Sequence, residues 1–80
     1  MNEIEVRKQL RDWIYDRAKD KPAALRDETP ILDDGILSSL DIVELVLFIE
    51  NLRGSEVDVD ALQPDSFRDV DAIFKSFFSG

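Results

Sequence analysis

The sequence predicts an all-α protein: a small four-helix bundle of three main helices plus one short third helix, with a long loop between helices one and two. Three observations carry that prediction. Apolar residues recur at the helical period in three separate segments. Pro and Gly punctuate the intervals between them. The one alternating stretch, around Val57 and Val59, has no partner strand and reads as extended loop. The 80 residues allow a single domain, residues 1–80. A chain of this size buries only roughly 60% of its unfolded surface, so the core is expected to be thin.

The first helix is expected over residues 3–19. Val6, Leu10, Trp13 and Ile14 fall on one face of a 3.6-residue period. Asn2 is its candidate cap, with Glu5 at the third helical position as in a capping box. Arg17, Lys19 and Lys21 gather at the other end, where the helix dipole favours cations, and Pro22 follows as a stop. Residues 20–37 show no period and carry Pro22, Pro30 and Gly35. Loops this long are uncommon in compact domains. Leu25, Ile31, Leu32 and Ile36 are scattered through it, which favours a loop strapped onto the core.

The second helix has Ser38 as candidate N-cap, Asp41 as the capping-box acid, and Leu37 with Ile42 as a hydrophobic staple. Gly54 ends it after Leu52 or Arg53. Ser39 is thereby left at the first helical position, its hydroxyl not needed for capping. A phosphate on Ser39 would lie beside unpaired backbone amides at the positive end of the dipole. At about 100° per residue, Ile42, Leu45, Val46, Ile49 and Leu52 form one arc, the expected core face. Leu40, Val43 and Leu47 form a second arc, bordered by Asp41 and Glu44. Burial of both arcs would need more protein than so small a domain supplies, so the second arc is expected to be a helix-docking stripe.

Residues 60–63 are expected to form one helical turn, capped by Asp60 and stopped by Pro64. The last helix is expected over residues 70–78, with Val70, Ile73, Phe74 and Phe77 on one face and Asp69, in competition with Ser66, as its cap.

Composition narrows function before any motif does. Ten Lys plus Arg against eighteen Asp plus Glu give a net charge of −8, which argues against nucleic acid and anionic membrane surfaces. Residues 27–60 carry ten acids against Arg53 alone, a net −9 around the second helix. The bland reading of such a block is a solvated face. Its coincidence with the spare apolar stripe favours steering toward basic partners. No Cys means no disulfide, thiolate nucleophile or usual zinc site. No His removes the side chain best suited to proton transfer near neutral pH. No catalytic residue and no metal ligand set is therefore expected. An EF-hand fails at Asp58-Val59-Asp60, where Gln63 stands in place of the required Gly. The N-terminus mixes charges and reads as neither signal nor transit peptide. The longest apolar run, residues 45–49, is far too short to span a bilayer. A monomer in the cytoplasm is the expectation.

Residues 35–45, GILSSLDIVEL, carry the chemistry that remains. They resemble the modification-site signature of acyl carrier proteins and of the related peptidyl and D-alanyl carriers. The family pattern is Asp-Ser-Leu at the start of the second helix, followed shortly by Val-Glu-Leu. Here it is matched by Ser39, Leu40, Asp41, Val43, Glu44 and Leu45. The amphipathic first helix, the loop ending in Asp-Gly-Ile-Leu and the closing Phe-Arg-Asp-Val-Asp-Ala-Ile extend the resemblance over most of the chain.

The resemblance implies that Ser39 takes a 4′-phosphopantetheine arm from coenzyme A through a phosphopantetheinyl transferase. It implies a discrete, non-catalytic carrier of acyl or aminoacyl thioesters, in fatty-acid-like or specialised polyketide or nonribosomal-type biosynthesis. A loading ligase or acyltransferase and synthase-type enzymes with basic docking patches are the implied further partners. Leu40, Val43 and Leu47 would touch them, with Asp34, Asp41 and Glu44 steering their Lys and Arg. One departure stands out: the family's Asp before the modified serine is Ser38 here, a rival hydroxyl. That change leaves open a second reading, a helical interaction domain with the carrier fold and no prosthetic group.

Overall fold

Side-chain capping decides where each helix begins in the computed structural model, which describes residues 2–19, 21–58 and 63–78. Asn2 is extended and accepts the Glu5 amide at 2.9 Å, which starts α1 (Glu3–Arg17). The helix stops two residues before Lys19, the expected end, because Ala18 is extended. Lys21 reaches back there, its Nζ donating to the carbonyls of Tyr15 at 2.7 Å and Asp16 at 3.4 Å. Both lie in the last turn of α1, where carbonyls run short of amide partners and a cation is favoured by the helix dipole; the Tyr15 carbonyl also accepts the Ala18 amide at 3.3 Å. Val6, Leu10 and Ile14 are buried and Trp13 packs against them, as the periodicity predicts.

The long loop is strapped down, as expected, and its anchor is Ile31. The Ile31 amide donates to the Arg68 carbonyl at 2.8 Å, and its own carbonyl accepts from Ile36 at 2.9 Å and Leu37 at 3.3 Å. Ile31, Ile36 and Leu37 are buried and Leu25 packs against the core. Leu32, counted with them from the sequence, instead faces solvent, since its neighbour Ile31 takes the inward position. Gly35 sits at φ +70°, the left-handed region that the tight turn before α2 requires, and donates its amide to Leu32.

Charge completes the strap. Asp27 accepts hydrogen bonds from Arg7 at 2.8 Å and from Arg11, and its carbonyl accepts the Asp71 amide at 2.9 Å. Arg7 also pairs with Asp71 at 2.9 Å and Glu3 at 2.8 Å, and its guanidinium lies 4.7 Å from the centre of the Phe74 ring. Burial opposes the Arg7 charge, but hydrogen bonds to Asp27, Asp71 and Glu3 outweigh it and raise its pKa. The loop is thus bound to two helices at once.

The second helix, α2 (Ser39–Arg53), ends at Gly54, whose φ of 70° and amide bond to the Glu50 carbonyl form the expected left-handed cap. Leu45 and Ile49 are fully buried, and Ile42, Val46 and Leu52 pack against them. Val57 beyond it is buried, its amide held by Glu50 Oε2 at 2.9 Å.

Of the turn expected over residues 60–63, the first three lie outside the described residues. Gln63 is extended, and Pro64 opens a 3₁₀ turn (Pro64–Phe67) where a stop was expected. The physical reason is that proline's fixed φ and missing amide suit a first helical position. The last helix, α3 (Val70–Phe77), is capped by Asp69, which wins over Ser66 by accepting the Ala72 amide at 2.7 Å. It ends one residue before the expected Phe78.

Among the described residues there are three α-helices, one 3₁₀ turn and no strand. α3 packs on α1 and on the 3₁₀ turn. Leu10, Ile14, Ile31, Leu45, Ile49 and Ile73 are fully buried at the centre. Burying each such side chain contributes about 1.5–3 kcal/mol.

Candidate functional site

Ser38 and Asp41 settle the geometry at the start of α2 by holding each other. Asp41 Oδ2 accepts from the Ser38 amide and from Ser38 Oγ, both at 3.0 Å, and Ser38 Oγ lies 3.4 Å from the Asp41 amide. The capping box is complete. Hydrogen bonds from the Ser38 amide and hydroxyl hold the Asp41 carboxyl below the ordinary aspartate range, with help from the charges of Arg17 and Lys19. The hydroxyl of Ser38 is therefore occupied in structure.

Ser39, one residue on, is exposed, and among the described residues no side chain or backbone group bonds its hydroxyl. The first intrahelical bond at this end runs from Ile42 to the Ser38 carbonyl. The Ser39 and Leu40 amides precede it and have no intrahelical acceptor.

The second arc of α2 is open. Leu40 is 81% exposed, Val43 62% and Leu47 61%, three large apolar residues in a row along one face. An open groove of about 510 Å³ at the far end of α2 carries this surface on from Leu47 past Asn51 and Ser55.

The acids of residues 27–60 are less free than their number suggests. Glu44 is ion-paired with Arg17 of α1. Glu50 is bound to the Val57 amide, and Asp27 to Arg7 and Arg11. Asp34 is exposed in the turn before α2, off the helix face, and among the described residues its carboxylate has no partner. The net −9 of residues 27–60 is thus partly spent inside the molecule.

Arg17 is the residue that sequence reading did not place here. The sequence marks it only as a cation at the end of α1. Its partner Glu44 lies 27 residues away, beyond the reach of any spacing rule. Packing explains the pairing. Trp13 stacks on Phe48 with ring centres 5.4 Å apart, and Arg17 lies over the Trp13 ring at 4.8 Å. Arg17 is one turn after Trp13, and Glu44 is one turn before Phe48. In antiparallel helices the aromatic pair therefore fixes the register that brings the ion pair together.

Fold and site together define a small helical protein that displays the Ser39 hydroxyl, exposed and unpaired among the described residues, at the start of an apolar stripe. Among the described residues no helix is long and apolar enough to cross a membrane. Over 68 residues the chain is 34% identical to the acyl carrier protein of Campylobacter hominis, a match covering 84% of this chain and 86% of that one. No protein-family model matches the chain. The extent and identity of that match confirm the resemblance read from residues 35–45: the chain belongs to the acyl carrier protein family.

Proposed function

We propose that this protein carries acyl or aminoacyl groups as thioesters on a 4′-phosphopantetheine arm attached to Ser39, and presents them to partner enzymes. The observation that carries the proposal is the contrast between two adjacent hydroxyls. Ser38 Oγ is committed to Asp41, while Ser39 Oγ is exposed and unpaired among the described residues. The residues fit such a group: an accessible hydroxyl for attachment, and the unpaired Ser39 and Leu40 amides at a helix start, which favour a phosphate. The arm would supply the thiol that a chain without Cys lacks. Ser39 then needs no base of its own, because a phosphopantetheinyl transferase brings the activation.

Docking falls to α2. Leu40, Val43 and Leu47 supply the apolar contact, and Asp34, Asp41 and Glu44 supply charge toward the Lys and Arg of partners. Those partners are the transferase, a loading ligase or acyltransferase, and synthase-type enzymes with basic docking patches. The pathway is of fatty-acid-like or specialised polyketide or nonribosomal type.

Intact-mass measurement after incubation with coenzyme A and a permissive transferase tests the proposal. One added phosphopantetheinyl group is expected, abolished by Ser39→Ala and retained by Ser38→Ala. No gain under any condition would leave the second reading, an interaction domain without the arm.

A further inference from the structure

The docking face of α2 contains a contact that works against docking. Glu44 borders the exposed stripe: on a helical wheel it falls about 40° from Leu40, on the edge facing α1. That edge is where Arg17 sits, paired with Glu44 and resting on Trp13. Both side chains of the pair remain partly in water, so neither is sealed from a partner's side chains.

We infer that Arg17 is an internal competitor for Glu44, which a basic partner has to displace before its own Lys or Arg can pair there. The inference rests on the docking reading of α2. It adds that the chain sets its own affinity for basic partners through a residue on α1. Two observations support it independently of the ion pair. The Trp13–Phe48 stack fixes the register, so Arg17 has a platform and is not a wandering surface cation. Arg17 and Lys19 also act on Asp41, the next acid along the same edge, so the end of α1 is electrically part of this face. Partners that bring an acid to meet Arg17, or that leave the pair intact and use only Leu40, Val43 and Leu47, escape the competition. Arg17 thereby discriminates among docking modes.

The effect has a bounded size. An exposed ion pair changes an equilibrium by up to about fivefold. A suitable probe is a synthetic amphipathic helical peptide of Leu and Lys, its binding to the folded chain followed by calorimetry. Arg17→Gln is expected to bind the peptide about threefold more tightly than wild type at low ionic strength, with the gain shrinking as salt rises. In the Glu44→Gln background the same Arg17→Gln change should give a clearly smaller gain, the remainder coming through Asp41, and Arg17→Lys should remain close to wild type. Equal gains in both Glu44 backgrounds would mean that only net charge matters and would overturn the inference. So would a folded Arg17→Gln chain, checked by circular dichroism, that binds no more tightly. Leu47→Asp separates the two readings. If it abolishes peptide binding while Arg17→Gln changes nothing, the face stands and the competition fails. If Leu47→Asp leaves binding untouched, the docking face itself is wrong and the inference goes with it. Ser39 modification is measured separately by mass, so failure of the carrier reading is seen on its own.

Discussion

Ser38→Ala removes one hydroxyl and tests how the start of α2 is held. In the folded chain that hydroxyl donates to Asp41 Oδ2 at 3.0 Å and faces the Asp41 amide at 3.4 Å. The amide contact is long, and the Ser38 amide keeps its own 3.0 Å bond to Asp41 after the substitution. The loss should therefore fall in the lower half of the usual range for a serine cap, about 0.5–1 kcal/mol. Unfolding entropy near 2.1 cal/mol/K per residue, over a chain of this length, converts that to a Tm drop of about 3–6 °C. Thermal unfolding followed by circular dichroism reads the shift, and urea titration checks that the slope with denaturant is unchanged. Asp41→Asn alone and the double variant complete a cycle. Because the two residues hold each other, their costs should fall short of additive. An unchanged Tm, or fully additive costs, would refute the view that Ser38 is a structural hydroxyl, and with it the physical reason for separating Ser38 from Ser39.

Three other perturbations probe different parts of the molecule. Leu45→Ala should cost about 2–5 kcal/mol in urea unfolding, whereas Leu47→Ala, on the exposed stripe two residues on, should cost no more than about 0.5 kcal/mol. The Asp41 carboxyl should titrate below the usual aspartate value of about 3.9 when followed by carbon NMR, and Ser38→Ala should move its midpoint partway back. Since its folded pKa is the lower one, the stability it contributes is present above the unfolded value and lost as pH falls through the folded one, as it is for Asp71, whose carboxyl is held down by Lys75 and Arg7. Asp27→Asn should weaken the strap at Arg7 and Arg11, costing about 1–3 kcal/mol and raising amide hydrogen exchange in residues 25–36 ahead of the helices.

Chain-local physics controls the features that were legible in the sequence. Asn2, Ser38 and Asp69 cap the three helices because their short polar side chains reach amides three residues on, and that reach is visible in a string of letters. Gly54 ends α2 for an equally local reason. The two arcs of α2 separated cleanly because helical geometry alone assigns them. Pro64 was misread because proline stops a helix and starts one with the same chemistry, and the direction depends on how the residues after it pack. The Arg7–Asp27–Asp71 cluster, the Arg17–Glu44 pair and the Glu50 bond to Val57 were illegible, since each depends on where distant elements dock. Counting acids thus overstated the charge that α2 offers to a partner. The exposed hydroxyl at Ser39 was legible because the cap at Ser38 placed it.

The stack of Trp13 on Phe48 has a practical side. Trp13 is the chain's sole tryptophan, and it is in contact with both the Phe48 ring of α2 and the guanidinium of Arg17. Indole emission responds to a cation on its face and to the water around it. Anything that lifts Arg17 off the Trp13 ring therefore changes the light this protein emits, and this edge of α2 comes with a native fluorophore that needs no label.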